Sequence, residues 1–160
     1  METQTIYSIL ETVPDPEVPV LSILDLGIVR DVRVENGGVE IDITPTYTGC
    51  PAMKAIEDAI VETLAENNFH QVKVKLVYSP AWTTDWMSEE GKRKLQEYGI
   101  APPEKSTPDK SYLMGETKSI ACPLCRSVNT EMISQFGSTA CKALYRCLDC
   151  REPFDYFKCL

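Results

Sequence analysis

Apolar positions along this chain change period several times, and each change marks an element. Near the N-terminus, residues 3–11 suit a short helix, which Pro14 and Pro16 stop. Val32 and Val34, then Val39, Ile41 and Ile43, alternate with polar neighbours, and Asn36-Gly37-Gly38 lies between the two runs. Asn and Gly accept positive φ, so this pattern predicts a β-hairpin. Met53, Ile56, Ile60 and Leu64 recur at helical spacing, which predicts an amphipathic helix over 51–67. Val72, Val74, Leu76 and Tyr78 return to alternation and predict a strand. Residues 88–98 read as a last helix, opened by Ser88 and ended before Pro102.

A break follows. Residues 101–118 hold three prolines and little apolar periodicity, which suits a linker or an irregular arm. Beyond it, Val128, Ile133 and Phe136, then Gly137, then Leu144 and Tyr145, are compatible with two strands and a turn. The expected class is α+β: a small mixed domain over 1–100 with a hairpin and packed helices, then a small β-rich module over 119–160.

Charge and cysteine follow the same division. The chain has 160 residues and a formal net charge of -8. Residues 1–118 carry a balance of -9 and residues 119–160 one of +1. This acidity argues against a nucleic-acid-coating surface. No basic, apolar leader and no membrane-length apolar run is visible, so a cytoplasmic protein without membrane partners is expected. In a reducing compartment, cysteines serve more often as metal ligands or reactive thiols than as structural bridges. Seven cysteines cannot all pair within the chain; Cys50 precedes the linker and six follow it.

Cys122-Pro123-Leu124-Cys125 and Cys147-Leu148-Asp149-Cys150 form two CxxC pairs separated by 21 residues. Tetrahedral zinc takes four thiolates at about 2.3 Å, and each tight CxxC turn presents two. A module of this size has too small a core to fold easily alone, so a structural zinc would give it stability. Iron is one alternative, and redox dithiols are another. Redox pairs usually open a helix in a thioredoxin-like context, which is not evident here. With four sulfur ligands no position is left for water, so the expected metal is structural. A deaminase site would need an upstream His-x-Glu, whereas His70 is followed by Gln71 and Val72.

Cys50 stands apart. Pro51 favours the first helical position, which puts Cys50 at or beside the N-cap of the predicted 51–67 helix. The positive end of a helix stabilises a thiolate there, although a small buried residue is the alternative role. His70, the lone histidine, lies at the far end of that helix, roughly 25 Å away at about 1.5 Å per residue. A Cys–His dyad within one chain is therefore not expected. Asp15-Pro16-Glu17 and Asp25-Leu26-Gly27 form an acidic loop segment for which turn and cap chemistry is the simpler account. Glu17 and Asp25 remain candidate supporting residues. Trp82 and Trp86 flank Asp85 and suit either a partner anchor or core packing.

Taken together, Asp15-Pro16-Glu17, Asp25-Leu26-Gly27-Ile28-Val29 and Thr48-Gly49-Cys50-Pro51 resemble the domain of SufT-type and cytosolic iron–sulfur targeting proteins. The segment 79–103 continues that resemblance. The tail, with CPLC, FGSTACKALYRC, CLDC and EPFDYFKC, looks like the PaaD family of phenylacetate degradation. The resemblance implies an accessory role for the phenylacetyl-CoA ring epoxidase, whose system uses a di-iron subunit and a reductase with an iron–sulfur cluster and flavin. It maps the reactive cysteine of the first domain onto Cys50 and the ribbon ligands onto Cys122, Cys125, Cys147 and Cys150. Cys141 and Cys159 belong to the tail pattern and are further candidate supporting residues, without an assigned role.

These readings predict a metal-centre maturation factor, not an enzyme, with a structural subunit of the oxygenase as the alternative. A thiolate is a soft ligand suited to transient iron or an iron–sulfur cluster. One thiol cannot hold a whole cluster, so homodimerisation through paired Cys50 residues or a partner would complete the shell. The reductase component is the expected client.

Overall fold

The computed structural model describes residues 1–46, 49–103, 119–137, 139 and 142–157. The segment 104–118, which is most of the expected linker, lies outside them, as do Tyr47, Thr48, Cys141 and Cys159. Two compact units divide at Gly91/Lys92.

The first unit opens with helix α1 (Glu2–Leu10), which buries Ile6 and Leu10. Strands β1 (Val29–Glu35) and β2 (Gly38–Ile43) form the hairpin, paired antiparallel from Glu35↔Gly38 to Val29↔Ile43. Its loop is only Asn36 and Gly37, with φ of 52° and 79°. Two successive positive-φ residues match the right-handed twist of the strands they join. Gly38, grouped with the turn in the sequence, is instead the first residue of β2.

Helix α2 (Met53–Glu66) follows and buries Met53, Ile56, Ile60 and Leu64, the four positions that the helical spacing predicts. Strand β3 (Val72–Leu76) then pairs parallel with β2, giving a sheet of order β1-β2-β3. Parallel neighbours need a crossover, and α2 supplies it. The predicted strand reaches Tyr78, but pairing stops earlier because β2 ends at Ile43. Val77 N–H makes the final bond, to the Ile43 carbonyl at 2.8 Å, and Tyr78 is exposed.

A short 3₁₀ turn (Thr84–Trp86) leads into α3 (Glu89–Glu97). Ser88 opens this helix as predicted: its Oγ accepts from Gly91 N–H at 2.9 Å. Trp82 is buried, and its indole Nε1–H donates to the Leu26 carbonyl at 2.8 Å. Core packing is thus the role the fold gives Trp82. Trp86 stacks under the Arg30 guanidinium, 3.6 Å from the ring centre.

The second unit is a four-stranded sheet of order β4-β7-β6-β5. Its strands are β4 (Ile100–Ala101), β5 (Thr130–Ser134), β6 (Lys142–Cys147) and β7 (Pro153–Phe157). The β5/β6 and β6/β7 pairs are antiparallel, whereas β4 joins β7 in parallel. The two strands and a turn expected for the tail are therefore accompanied by two more strands, one formed by residues 100–101. Tyr145 anchors the core, stacked on Phe154 with centroids 5.8 Å apart and edge-on to Tyr156 at 5.7 Å. No helix among the described residues is long and apolar enough to cross a membrane.

Candidate metal centre

The sheet of the second unit brings its two CxxC turns together. Cys147 ends β6, and the Leu148 N–H donates to the Asn129 carbonyl (2.8 Å), drawing the second turn against the strand that follows the first. Each turn closes in the same way. Arg126 follows Cys125 with φ 67°, and Arg151 follows Cys150 with φ 65°. The left-handed residue redirects the chain, and backbone bonds lock the loop: Cys122 N–H to Ser127 O (2.8 Å) and Cys147 N–H to Glu152 O (3.0 Å).

Consequently the four sulfurs of Cys122, Cys125, Cys147 and Cys150 lie within 4.8 Å of one another. Cys122 Sγ is 3.8 Å from Cys150 Sγ, and Cys125 Sγ is 3.5 Å from Cys147 Sγ. A tetrahedron with arms of about 2.3 Å has edges of about 3.8 Å, so this donor set fits a zinc ion. All four positions are sulfur, which suits a structural ion and leaves no site for a reacting water.

The electrostatics point the same way. Cys150 N–H donates to Cys147 Sγ at 3.5 Å. Together with the Asp149 N–H, it outweighs desolvation and brings the Cys147 thiol down to about 7. At Cys150 the Glu152 N–H favours the thiolate, but burial and the neighbouring thiols prevail and push the thiol up to about 12. Four adjacent sulfurs cannot all ionise without a cation; a dication removes that conflict.

A clamp outside the sulfurs went unread in the sequence. Asp149, inside the second CxxC, accepts from Ser127 Oγ and from Asn129 Nδ2 (3.1 Å), both beside the first CxxC. These bonds hold its carboxyl below the usual range. The available signal was an acid within the CLDC turn and a Ser-x-Asn after CPLC; only the fold shows that they meet.

Cys50 occupies a different setting in the first unit. Helix α2 begins at Met53, with Ala52 at its N-cap, so Cys50 sits in the turn two residues before the cap. Its carbonyl accepts from Met53 N–H at 3.4 Å, and Gly49 before it has φ 75°. Pro51 therefore lies in this turn instead of the first helical position. The residue is half-buried, and no acidic side chain stands in the first turn of α2.

The acidic loop segment is built as caps. Asp15 Oδ1 accepts from the N–H groups of Glu17 and Val18, both at 2.8 Å. Asp25 Oδ2 accepts from Ser22 N–H at 3.0 Å, while Asp25 Oδ1 accepts from Ser88 Oγ at 3.1 Å. Asp25 is buried and ties its loop to the start of α3; Glu17 is half-buried.

Comparison with known proteins follows this division. Residues 3–76 match the iron–sulfur cluster assembly protein family, and residues 106–158 match the PaaD zinc beta ribbon domain. Fold and site thus define a class in which an iron–sulfur-assembly-type domain is joined to a four-cysteine ribbon. Within that class, the chain belongs to the PaaD family. It is 51% identical over 159 residues to an Escherichia coli (strain K12) protein provisionally named as one of the subunits of 1,2-phenylacetyl-CoA epoxidase, covering 99% of this chain and 94% of that one. An Fe–S protein maturation auxiliary factor from Porphyromonas gingivalis is 37% identical over 94 residues, or 58% of this chain and 89% of that one. A solved DUF59 domain from Bacillus anthracis superposes with a TM-score of 0.54 at 34% identity, over 57% of this chain and 89% of that chain.

Proposed function

We propose that this chain is a cytoplasmic accessory factor of the phenylacetyl-CoA epoxidase system that assists assembly or delivery of an iron–sulfur or di-iron centre. The reductase component is its client. The observation that carries this reading is a composite of the first unit: an assembly-family fold whose one cysteine, Cys50, sits in the turn that leads into α2. Cys50 is the thiol that contacts the iron cargo. Two Cys50 residues in a homodimer, or one with a client ligand, complete the coordination. The assembly-type part expected over 1–100 does this work, although Ile100 and Ala101 at its end pair with the ribbon strand β7.

Cys122, Cys125, Cys147 and Cys150 hold structural zinc, which cross-links two turns of a module with a small core. Glu17 and Asp25 support the Cys50 site from the acidic loop, which Asp25 ties to the start of α3 through Ser88. Cys141 and Cys159 receive no role.

The test is Cys50→Ser and Cys50→Ala in cells growing on phenylacetate. The expected result is a fall in cluster content of the reductase and in epoxidase activity, with the variant still folded and zinc-loaded. Unchanged cluster content and activity would remove Cys50 from the mechanism. The name of the Escherichia coli relative favours a second reading, a structural subunit of the oxygenase. Constant-stoichiometry copurification with active oxygenase supports that reading; dispensability once the metal centres are loaded supports ours.

A further inference from the structure

Strand β3 lies at the edge of its sheet, and its outer side has no strand partner among the described residues. The bonds at its two ends fix which backbone groups point outward. Val39 N–H donates to Gln71 O at 2.8 Å, and Val77 N–H donates to Ile43 O at 2.8 Å. In a parallel ladder alternate residues bond to one neighbour, so Lys73 and Lys75 spend their backbone groups on β2. The N–H and C=O groups of Val72, Val74 and Leu76 face away from it.

Two side-chain rows border this edge. By register, Val72, Val74 and Leu76 share the face of Val39, Ile41 and Ile43. Those three β2 residues are buried, yet Val72 and Val74 are half-buried and Leu76 is 37% exposed. The apolar face therefore runs on past its cover. Lys73 and Lys75 lie on the opposite face, both exposed. Within the chain their register partners are Glu40 and Asp42, so β2 already shows what pairs with this strand: acids alternating with β-branched residues.

We propose that the outer edge of β3 docks an extended segment of a partner protein. Acidic residues spaced two apart in that segment face Lys73 and Lys75. Its apolar residues continue the row of Val72, Val74 and Leu76, and its backbone completes the ladder. A second copy fits poorly. Antiparallel self-pairing sets lysines among lysines, and edge lysines oppose such association. The Leu76 end registers with Ile43, from which the chain runs on toward Cys50, so the docked segment reaches that end of the sheet. The docking stands without any role for Cys50 in iron binding.

The test titrates the full zinc-loaded chain with two capped synthetic peptides, one alternating Val/Ile with Glu/Asp and one alternating Val/Ile with Lys. Anisotropy reads binding, and amide exchange by NMR reads the site. The acidic peptide is expected to bind at least tenfold tighter and to slow exchange at Val72, Val74 and Leu76. Val74→Pro removes only an outward N–H and should weaken binding at least tenfold with the circular dichroism unchanged. Lys73→Glu/Lys75→Glu should reverse the peptide preference, which carries the test if the proline variant misfolds. Equal affinity for the two peptides, or a preference that the charge reversal leaves in place, overturns the proposal. So does a dimer in sedimentation that Val74→Pro dissociates, since a second copy would then occupy the edge.

Discussion

Gly27 and Trp86 approach so closely that a Cβ on Gly27 would lie 2.5 Å from the Trp86 carbonyl oxygen. Gly27 also has φ 73°, a conformation that costs other residues about 1–2 kcal/mol. Backbone and contact thus demand glycine at the same position. Gly27→Ala is expected to destabilise the first unit by about 2–4 kcal/mol, combining that strain with overpacking. Chemical denaturation measures it; a loss below about 1 kcal/mol would mean that the Trp86 segment yields.

Removing one sulfur should dismantle the ribbon. Cys147→Ser leaves three ligands for an ion whose binding contributes about 10–16 kcal/mol in small zinc modules. Bound zinc should fall from about one ion per chain to a small fraction, and the near-ultraviolet signal of Tyr145, Phe154 and Tyr156 should collapse. Metal analysis with near-ultraviolet circular dichroism checks both. Full zinc retention would show that three sulfurs suffice.

Asp149 should matter without touching the ion. It joins Ser127 and Asn129 to the second turn, so Asp149→Ala frees two donors beside the first turn. Zinc affinity is expected to fall by about 10–100-fold, the usual cost of losing a group that orients metal ligands. Competition with a chromophoric chelator gives the ratio, and Asp149→Asn, which keeps one acceptor, should fall between wild type and Ala.

Arg33 sets an acid-sensitive term on the open face of the first sheet. Its guanidinium forks onto Asp42 at 2.8 and 2.9 Å and reaches Glu40 at 2.6 Å. Hydrogen bonds from Arg33 hold both carboxyls below their ordinary range. A carboxyl depressed in the folded state stabilises fully above its unfolded value, about 3.9–4.3, and loses that contribution as pH falls through the folded one. The stability gap between wild type and Arg33→Met should therefore be flat above about pH 5 and narrow below about pH 4. A gap independent of pH would remove the cluster from acid stability.

Local chemistry was legible wherever a short segment carries its own signal. Asn36-Gly37 specifies its turn because both residues take positive φ. Met53, Ile56, Ile60 and Leu64 report the buried stripe of α2 directly. Two CxxC pairs announce a four-sulfur site through ligand spacing. The end of β3 is not legible locally, because alternation continues to Tyr78 while the partner strand stops at Ile43.

By itself, then, the sequence determined the hairpin, α2, the run of β3 and the four cysteines of the sulfur site. The tertiary structure alone decided who neighbours whom. It set β3 parallel to β2, leaving an edge bordered by Lys73 and Lys75, and it carried residues 100–101 into the ribbon sheet. It also joined Asp25 to Ser88 and Leu26 to Trp82 across more than fifty positions. The reason is physical. Periodicity records which face of an element leaves water, whereas the partner of that face is chosen by packing among segments distant in the chain.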